Sequence, residues 1–252
     1  MAREEQAARR RGTVTEAAPL PMPNAVWLKA EIEFPSLCSY RQTNASPSYA
    51  IGSPFPSPAA VKLTLVDTAI RFSGSVSEGR RIFDLVKGME VLMQPPEKVI
   101  RVRAFIKRLK PGKQGGLEIS TGVRDYFRLE GTFTLYLRMP EEAATKVEWL
   151  LYRLRRLGTS DSLCWCQKVE PIEPDKRLCL TRLDTQPLTA AVLLRRMVVT
   201  LADLTSDARF EHFDPFSRGA RGKALEEHAF LAPLVMESYG ENWAIYRREP
   251  LP

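Results

Sequence analysis

Lys98, Arg101, Arg103, Lys107, Arg108, Lys110 and Lys113 follow one another with no acidic residue among them. Cations gathered in this way suit one kind of partner above others, a polyanion whose phosphates they can neutralise. The whole chain leans the same way, with a net charge of +7 and a pI near 9.3. Other side chains capable of chemistry are sparse. Cys164 and Cys166 are one residue apart, and Cys38 and Cys179 stand alone. Zinc ligands are usually spaced by two to four residues and come in two pairs. These four therefore read as buried or free thiols in a reducing compartment, and no metal is expected. The two histidines, His212 and His228, fall far from the basic run.

The 252 residues are 44% hydrophobic and 27% charged, the balance of a globular protein with a substantial core. No apolar run is long enough to span a bilayer. The opening residues, MAREEQAARRRG, carry charges with no apolar core behind them, unlike a signal peptide, so a cytoplasmic location is expected. Walker-type, Rossmann-type, zincin and nucleophile-elbow patterns are absent, and no cofactor is expected.

The elements that must position the basic run can be read in order. Residues 1–24 are rich in Ala, Arg and Glu, then in Pro, and read as a mobile extension. Residues 25–35 read as a strand. A polar loop over 36–57 leads to a helix over 58–72, with Ser57 as N-cap and Pro58 at its first position. Val61, Leu65, Val66, Ala69 and Ile70 give it an apolar stripe, with Thr64, Asp67, Thr68 and Arg71 on the other side. A short helix over 78–86 and a strand over 89–93 follow. Residues 99–109 alternate apolar and basic, a strand with one basic face. Residues 117–129 read as an arm or hairpin bent at Gly122, and 132–138 as another strand. A helix opens at Pro140-Glu141-Glu142, carries Arg153, Arg155 and Arg156 near its C-terminus and stops at Gly158. Short strands are expected at 163–169 and 177–183, and an amphipathic helix at 189–204.

Strand, helix, strands, helix over 25–158 suits an α+β, ferredoxin-like (RRM-like) domain with a long insertion before the last strand. The inserted arm covers about 108–130, and 159–252 form a smaller C-terminal region with short strands and helices.

Three stretches together carry a family resemblance. The first is the strand at 25–35 followed by the Arg- and aromatic-bearing loop and PFPSPAAV at 54–61. The second is Thr121-Gly122-Val123-Arg124-Asp125-Tyr126-Phe127 ahead of TFTLYLRMP. The third is the turn Arg156-Leu157-Gly158-Thr159-Ser160-Asp161-Ser162-Leu163. In this order and spacing they resemble the Cas-five family of CRISPR-associated RAMP proteins, over roughly residues 25–170. A glycine-rich loop of the family could correspond to 218–223. The resemblance implies a subunit at the foot of a type I surveillance complex (Cascade). Such a subunit binds the 5′ handle of the CRISPR RNA (crRNA). Its thumb reaches the adjacent Cas-seven-like backbone subunit. It implies a large subunit as a further partner, and target DNA only indirectly, through the complex.

Single-stranded RNA needs cations for its phosphates and flat faces for its splayed bases. The loop offers Tyr40, Arg41, Gln42, Asn44 and Tyr49; the basic strand offers Arg101, Arg103, Lys107 and Arg108; the thumb offers Arg124, Tyr126 and Arg128. In an extended arm Arg124 and Tyr126 project to one side, toward RNA, and Asp125 and Phe127 to the other, toward protein. A metal-independent endoribonuclease that processes precursor crRNA is the alternative in another class. It wants a histidine beside Tyr40 and Lys29, and none lies in the matched region. A generic RNA-binding protein outside CRISPR would keep the basic strand without needing a thumb.

Overall fold

In strand β1, Ala25–Glu33, apolar and polar residues alternate, so Leu28, Ala30 and Ile32 share one buried face while Lys29 and Glu31 pair on the other at 2.6 Å. The structure, a computed structural model, describes residues 24–42, 49–112, 115–184, 195–217 and 222–252. The extension read over 1–24 therefore lies, but for Asn24, outside the described residues, as do Asn44, Lys113 and most of the loop 218–223.

The first sheet has the order β5-β8-β1-β9, every neighbour antiparallel; β5 is Glu90–Gln94, β8 Phe133–Pro140 and β9 Trp165–Glu170. Three helices complete this layer: α1 (Pro58–Ser73), α2 (Val76–Val86) and α3 (Glu141–Leu151). Val61, Leu65 and Ala69 of α1 and Val147 and Leu150 of α3 share one core with Leu28, Ile32, Leu135 and Leu137. On the opposite face, Trp27 and Tyr136 pack with Cys179. The 3-10 turn Lys176–Leu178 lies just before that cysteine.

The start of α1 is built as expected. Ser57 Oγ accepts from Ala60 N at 3.1 Å, Pro58 occupies the first turn, and Gly74 closes the helix in the left-handed region. Its polar side is outward at Asp67 and Arg71 but not at the threonines. Thr64 and Thr68 are buried, with their hydroxyls donating back to Ala60 O and Thr64 O. The 156–163 turn covers Thr64, whose Oγ1 accepts from Gly158 N at 3.1 Å, while another side of α1 lies against β11 (Arg196–Leu204), part of a second layer. There the buried Lys62 reaches Asp203 at 2.8 Å and Lys87 O at 3.1 Å.

That second layer is a sheet in the order β10-β12-β13-β6-β7-β3, with β11 also on β12. Its strands are β3 (Tyr49–Ala50), β6 (Lys98–Pro111), β7 (Leu117–Glu130), β10 (Thr181–Arg182), β12 (Leu225–Tyr239) and β13 (Trp243–Arg248). A ribbon pairs β2 (Tyr40–Arg41) with β4 (Gly52–Ser53).

Several expectations change. The helix read over 189–204 is strand β11 in its described part: Val198, Val199 and Thr200 are β-branched, and β12 supplies a ladder partner. The strand read over 177–183 shrinks to the 3-10 turn and the two residues of β10. Gly122 is not a bend; it sits within β7 opposite Ile106, and Gly115 and Gly116, at positive φ, lie just before β7. Helix α3 ends at Leu151, so Arg153, Arg155 and Arg156 lie in the chain leaving it rather than on its last turn. The β6–β7 insertion sits between the second and third strands of the first sheet, and β9 is the closing strand.

Candidate nucleic-acid interface

The polar loop and the arm meet at Asp125. This carboxylate is 1% exposed, yet three donors converge on it: Arg103 Nε at 2.8 Å and Nη2 at 3.4 Å, and Gly52 N at 3.2 Å. Burial of a charge demands such partners. Around it Cys38 and Phe127 exchange both backbone hydrogen bonds, at 2.9 and 2.8 Å. Ser39 Oγ donates to Asp125 O at 2.8 Å, and β3 runs parallel to β7 at Val123 and Arg124. Only glycine fits at position 52, where a Cβ would stand 2.8 Å from the Phe127 ring. Both ends of the 36–57 loop are thus fastened to the base of the arm.

Register divides the arm into two faces. Arg101, Arg103, Phe105, Lys107 and Leu109 stand opposite Phe127, Asp125, Val123, Thr121 and Ile119. Val102, Ala104, Ile106 and Arg108 stand opposite Tyr126, Arg124, Gly122 and Ser120. The face expected to be basic is therefore mixed. It turns inward at its base, through Phe127 and Asp125, and farther out bears exposed Phe105, Leu109, Leu117 and Ile119.

The expected contact residues fall in different surroundings. Tyr40 is 6% exposed and its hydroxyl donates to Leu157 O at 2.9 Å. Burial pushes that phenol well above its ordinary pKa. Arg41 is exposed, and Gln42 is half-buried, its Nε2 donating to Gly52 O at 3.5 Å. Tyr49 is placed by its backbone on β3. Arg101 is half-buried, and its Nε has no hydrogen-bond partner among the described residues. Arg103 is held by Asp125. Lys107, Arg108 and Arg128 are exposed, and Tyr126 is half-buried. Arg124 pairs with Asp161 at 3.2 Å, which ties the arm to the 156–163 turn.

The tertiary structure thus gathers Arg41, Arg124 and that turn around the clamped loop, and leaves Lys107 and Arg108 out along the arm. Beside the loop, between the β2–β4 ribbon, α1 and β11, lies a cavity of about 450 Å³ lined by Arg41, Ser53, Ser57, Asp67, Arg156 and Thr200. Sequence reasoning had given Arg156 and Asp161 no binding role. The signal was the turn motif itself, whose two ends the fold brings to the ribbon and the arm.

Burial pushes Cys38, Cys164 and Cys179 up to about 12 and Cys166 to about 11, and all four are free thiols. No group of metal-ligating side chains gathers among the described residues. His212 Nδ1 accepts from Arg209 N at 2.9 Å; His228 lies 2.8 Å from Arg182 and 3.2 Å from Glu226, and neither borders the clamped loop. No helix among the described residues is long and apolar enough to cross a membrane.

No family model matches the chain. The CRISPR-associated protein Cas5 of Archaeoglobus fulgidus is 33% identical to it over 226 residues, covering 87% of this chain and 97% of that protein. A crystal structure of a CRISPR protein from Archaeoglobus fulgidus aligns with 10% identity and a TM-score of 0.39, covering 88% of this chain and 92% of that one. A chain of a CRISPR RNA-guided surveillance complex aligns with 14% identity and a TM-score of 0.34, covering 90% and 91%. Both structural overlaps are too loose to carry an argument.

Proposed function

The chain belongs to the Cas5 family of CRISPR-associated proteins, and from that premise we propose that it is a non-catalytic, cytoplasmic subunit of a type I surveillance complex, binding the 5′ handle of the crRNA. The observation that carries the reading is the relationship to Cas5 over 226 residues, 87% of this chain. Three features of the geometry support it. The clamped loop presents Arg41 beside an open cavity. Arg124 and Tyr126 share the face of β7 opposite to the buried Asp125 and Phe127. The outer arm exposes Phe105, Leu109, Leu117 and Ile119, an apolar surface suited to an adjacent Cas-seven-like backbone subunit. The large subunit and target DNA enter through the same complex. The order β5-β8-β1-β9, with helices packed on one face, supports reading the first sheet as a ferredoxin-like RAMP domain and β6–β7 as its thumb. In this reading neither His212 nor His228 cuts RNA.

The test is guide-RNA affinity at two salt concentrations for three variants, alongside melting curves. Tyr126→Ala is expected to weaken binding by the loss of one base stack, about 1–3 kcal/mol, with little change in melting. Arg124→Ala is expected to lower the salt slope by about 0.7, one phosphate on a single strand. Phe127→Ala is expected to lower the melting temperature, with a stability loss of about 3–5 kcal/mol. Equal melting losses for Tyr126→Ala and Phe127→Ala, with RNA affinity unchanged in both, would sink the proposal.

A further inference from the structure

A second groove adjoins the cavity beside Arg41 and shares Asp67 and Arg156 with it. It encloses about 370 Å³, the scale of a small-ligand site, between the C-terminal half of α1 and the chain leaving α3. Arg71, Arg153, Arg155 and Arg156 line it, with Phe72 between them. Asp67 is the one carboxylate in its wall and meets Arg71 at 2.8 Å and Arg156 at 3.5 Å. Four guanidinium groups against one carboxylate leave three positive charges in excess.

Two of the arginines are held without an acid. The Arg153 guanidinium lies 3.7 Å from the centre of the Trp149 ring and 5.7 Å from that of Phe72, and its Nη1 donates to Trp149 O at 2.9 Å. Arg155 lies 5.9 Å from the Phe72 ring, which meets Trp149 edge-on at 5.8 Å. Neither has a carboxylate within ion-pair distance among the described residues. Stacking on aromatic rings orients a guanidinium and leaves its charge uncompensated, a state suited to an incoming phosphate. Phe72, Trp149 and Tyr152 also remain exposed, although large aromatics are usually sheltered.

We propose that this groove is a phosphate-binding track for single-stranded nucleic acid, continuous past Asp67 and Arg156 with the cavity beside Arg41. It rests on the reading of the chain as a nucleic-acid binder and assigns that strand a path along α1. A single strand is favoured over a duplex because the groove's wall holds an exposed ring, Phe72, on which only an unpaired base can stack.

The experiment measures the affinity of the full chain, or of the complex with which it purifies, for single strands of increasing length and for a blunt duplex. Single-stranded RNA and DNA of one sequence are compared, which separates a backbone track from one that reads the 2′-hydroxyl. Arg155→Gln is the main variant, because Arg155 makes only a ring contact and its loss leaves the packing in place. Arg155→Lys keeps the charge, and Arg153→Ala/Arg155→Ala removes both uncompensated cations. For long single strands the double variant is expected to lower the salt slope by about 1.4, two phosphates' worth, and Arg155→Gln by about half of that. Affinity should also stop rising at a shorter strand length, and Arg155→Lys should recover most of the slope. Unchanged slopes for these variants, with a reduced slope for Arg124→Ala, would overturn the track and leave the handle reading standing. A reduced slope here with none for Arg124→Ala would support the track and count against the thumb. An equal loss on the duplex would overturn the single-strand assignment.

Discussion

Asp125 is a buried charge at the junction of the loop and the arm. Asp125→Ala would remove the buried carboxylate to which Arg103 and Gly52 N donate. The expected cost is about 3 kcal/mol, measured by denaturant unfolding. Because the same change frees the loop that presents Arg41, RNA affinity should fall with it. An Asp125→Ala protein with wild-type stability would show that the clamp is ornamental. The neighbouring position 52 has no room for a side chain, since Phe127 and Asp125 occupy the space a Cβ would need.

At the scale of elements, α1 is the shared wall of the two layers. Its apolar stripe faces the first sheet, and its other side meets β11 through Lys62 and Asp203. The Lys62 side chain is 3% exposed, so its ammonium depends on Asp203 and on Lys87 O. Asp203→Ala should therefore cost about 3 kcal/mol. Hydrogen exchange should show the loss concentrated in α1 and β11, whereas a uniform loss of protection or none would contradict this linkage. The arm behaves differently. Its base is fixed by Phe127 and Asp125, but its outer rungs bury little, so its order depends on what covers Phe105, Leu109, Leu117 and Ile119.

For the whole molecule, the four buried thiols set an alkaline limit. Their folded pKa values lie near 11 to 12, above the ordinary value of 9.0. The unfolded chain therefore releases these protons first. The stability they contribute is fully present below about pH 9 and is lost as pH rises through about 12. Melting temperature should hold up to about pH 9 and fall steeply above it. Thiol-directed alkylation at neutral pH should be negligible in the folded protein and complete on unfolding. Rapid labelling of the folded protein would show that these sites open readily.

What the sequence determined by itself was local. The Ser57-Pro58 start of α1, the alternation of β1 and β8, and the carboxylates opening α3 are written in near neighbours, and the structure keeps them. The relation of 124 and 126 to 125 and 127 was legible too, since a strand repeats every two residues. Other features needed partners far away in the chain. Residues 196–204 became a strand because β12 offered a ladder, and Thr64 was buried because the 156–163 turn came back over α1, Gly158 N donating to its hydroxyl. Arg103 was withdrawn from the surface by an aspartate on the facing strand. Arg153 and Arg155 were readable as cations suiting a helix end. Only the tertiary structure set them against Trp149 and Phe72, beside Asp67 on another helix. Periodicity fixes which way a side chain points, and long-range packing decides what it finds there.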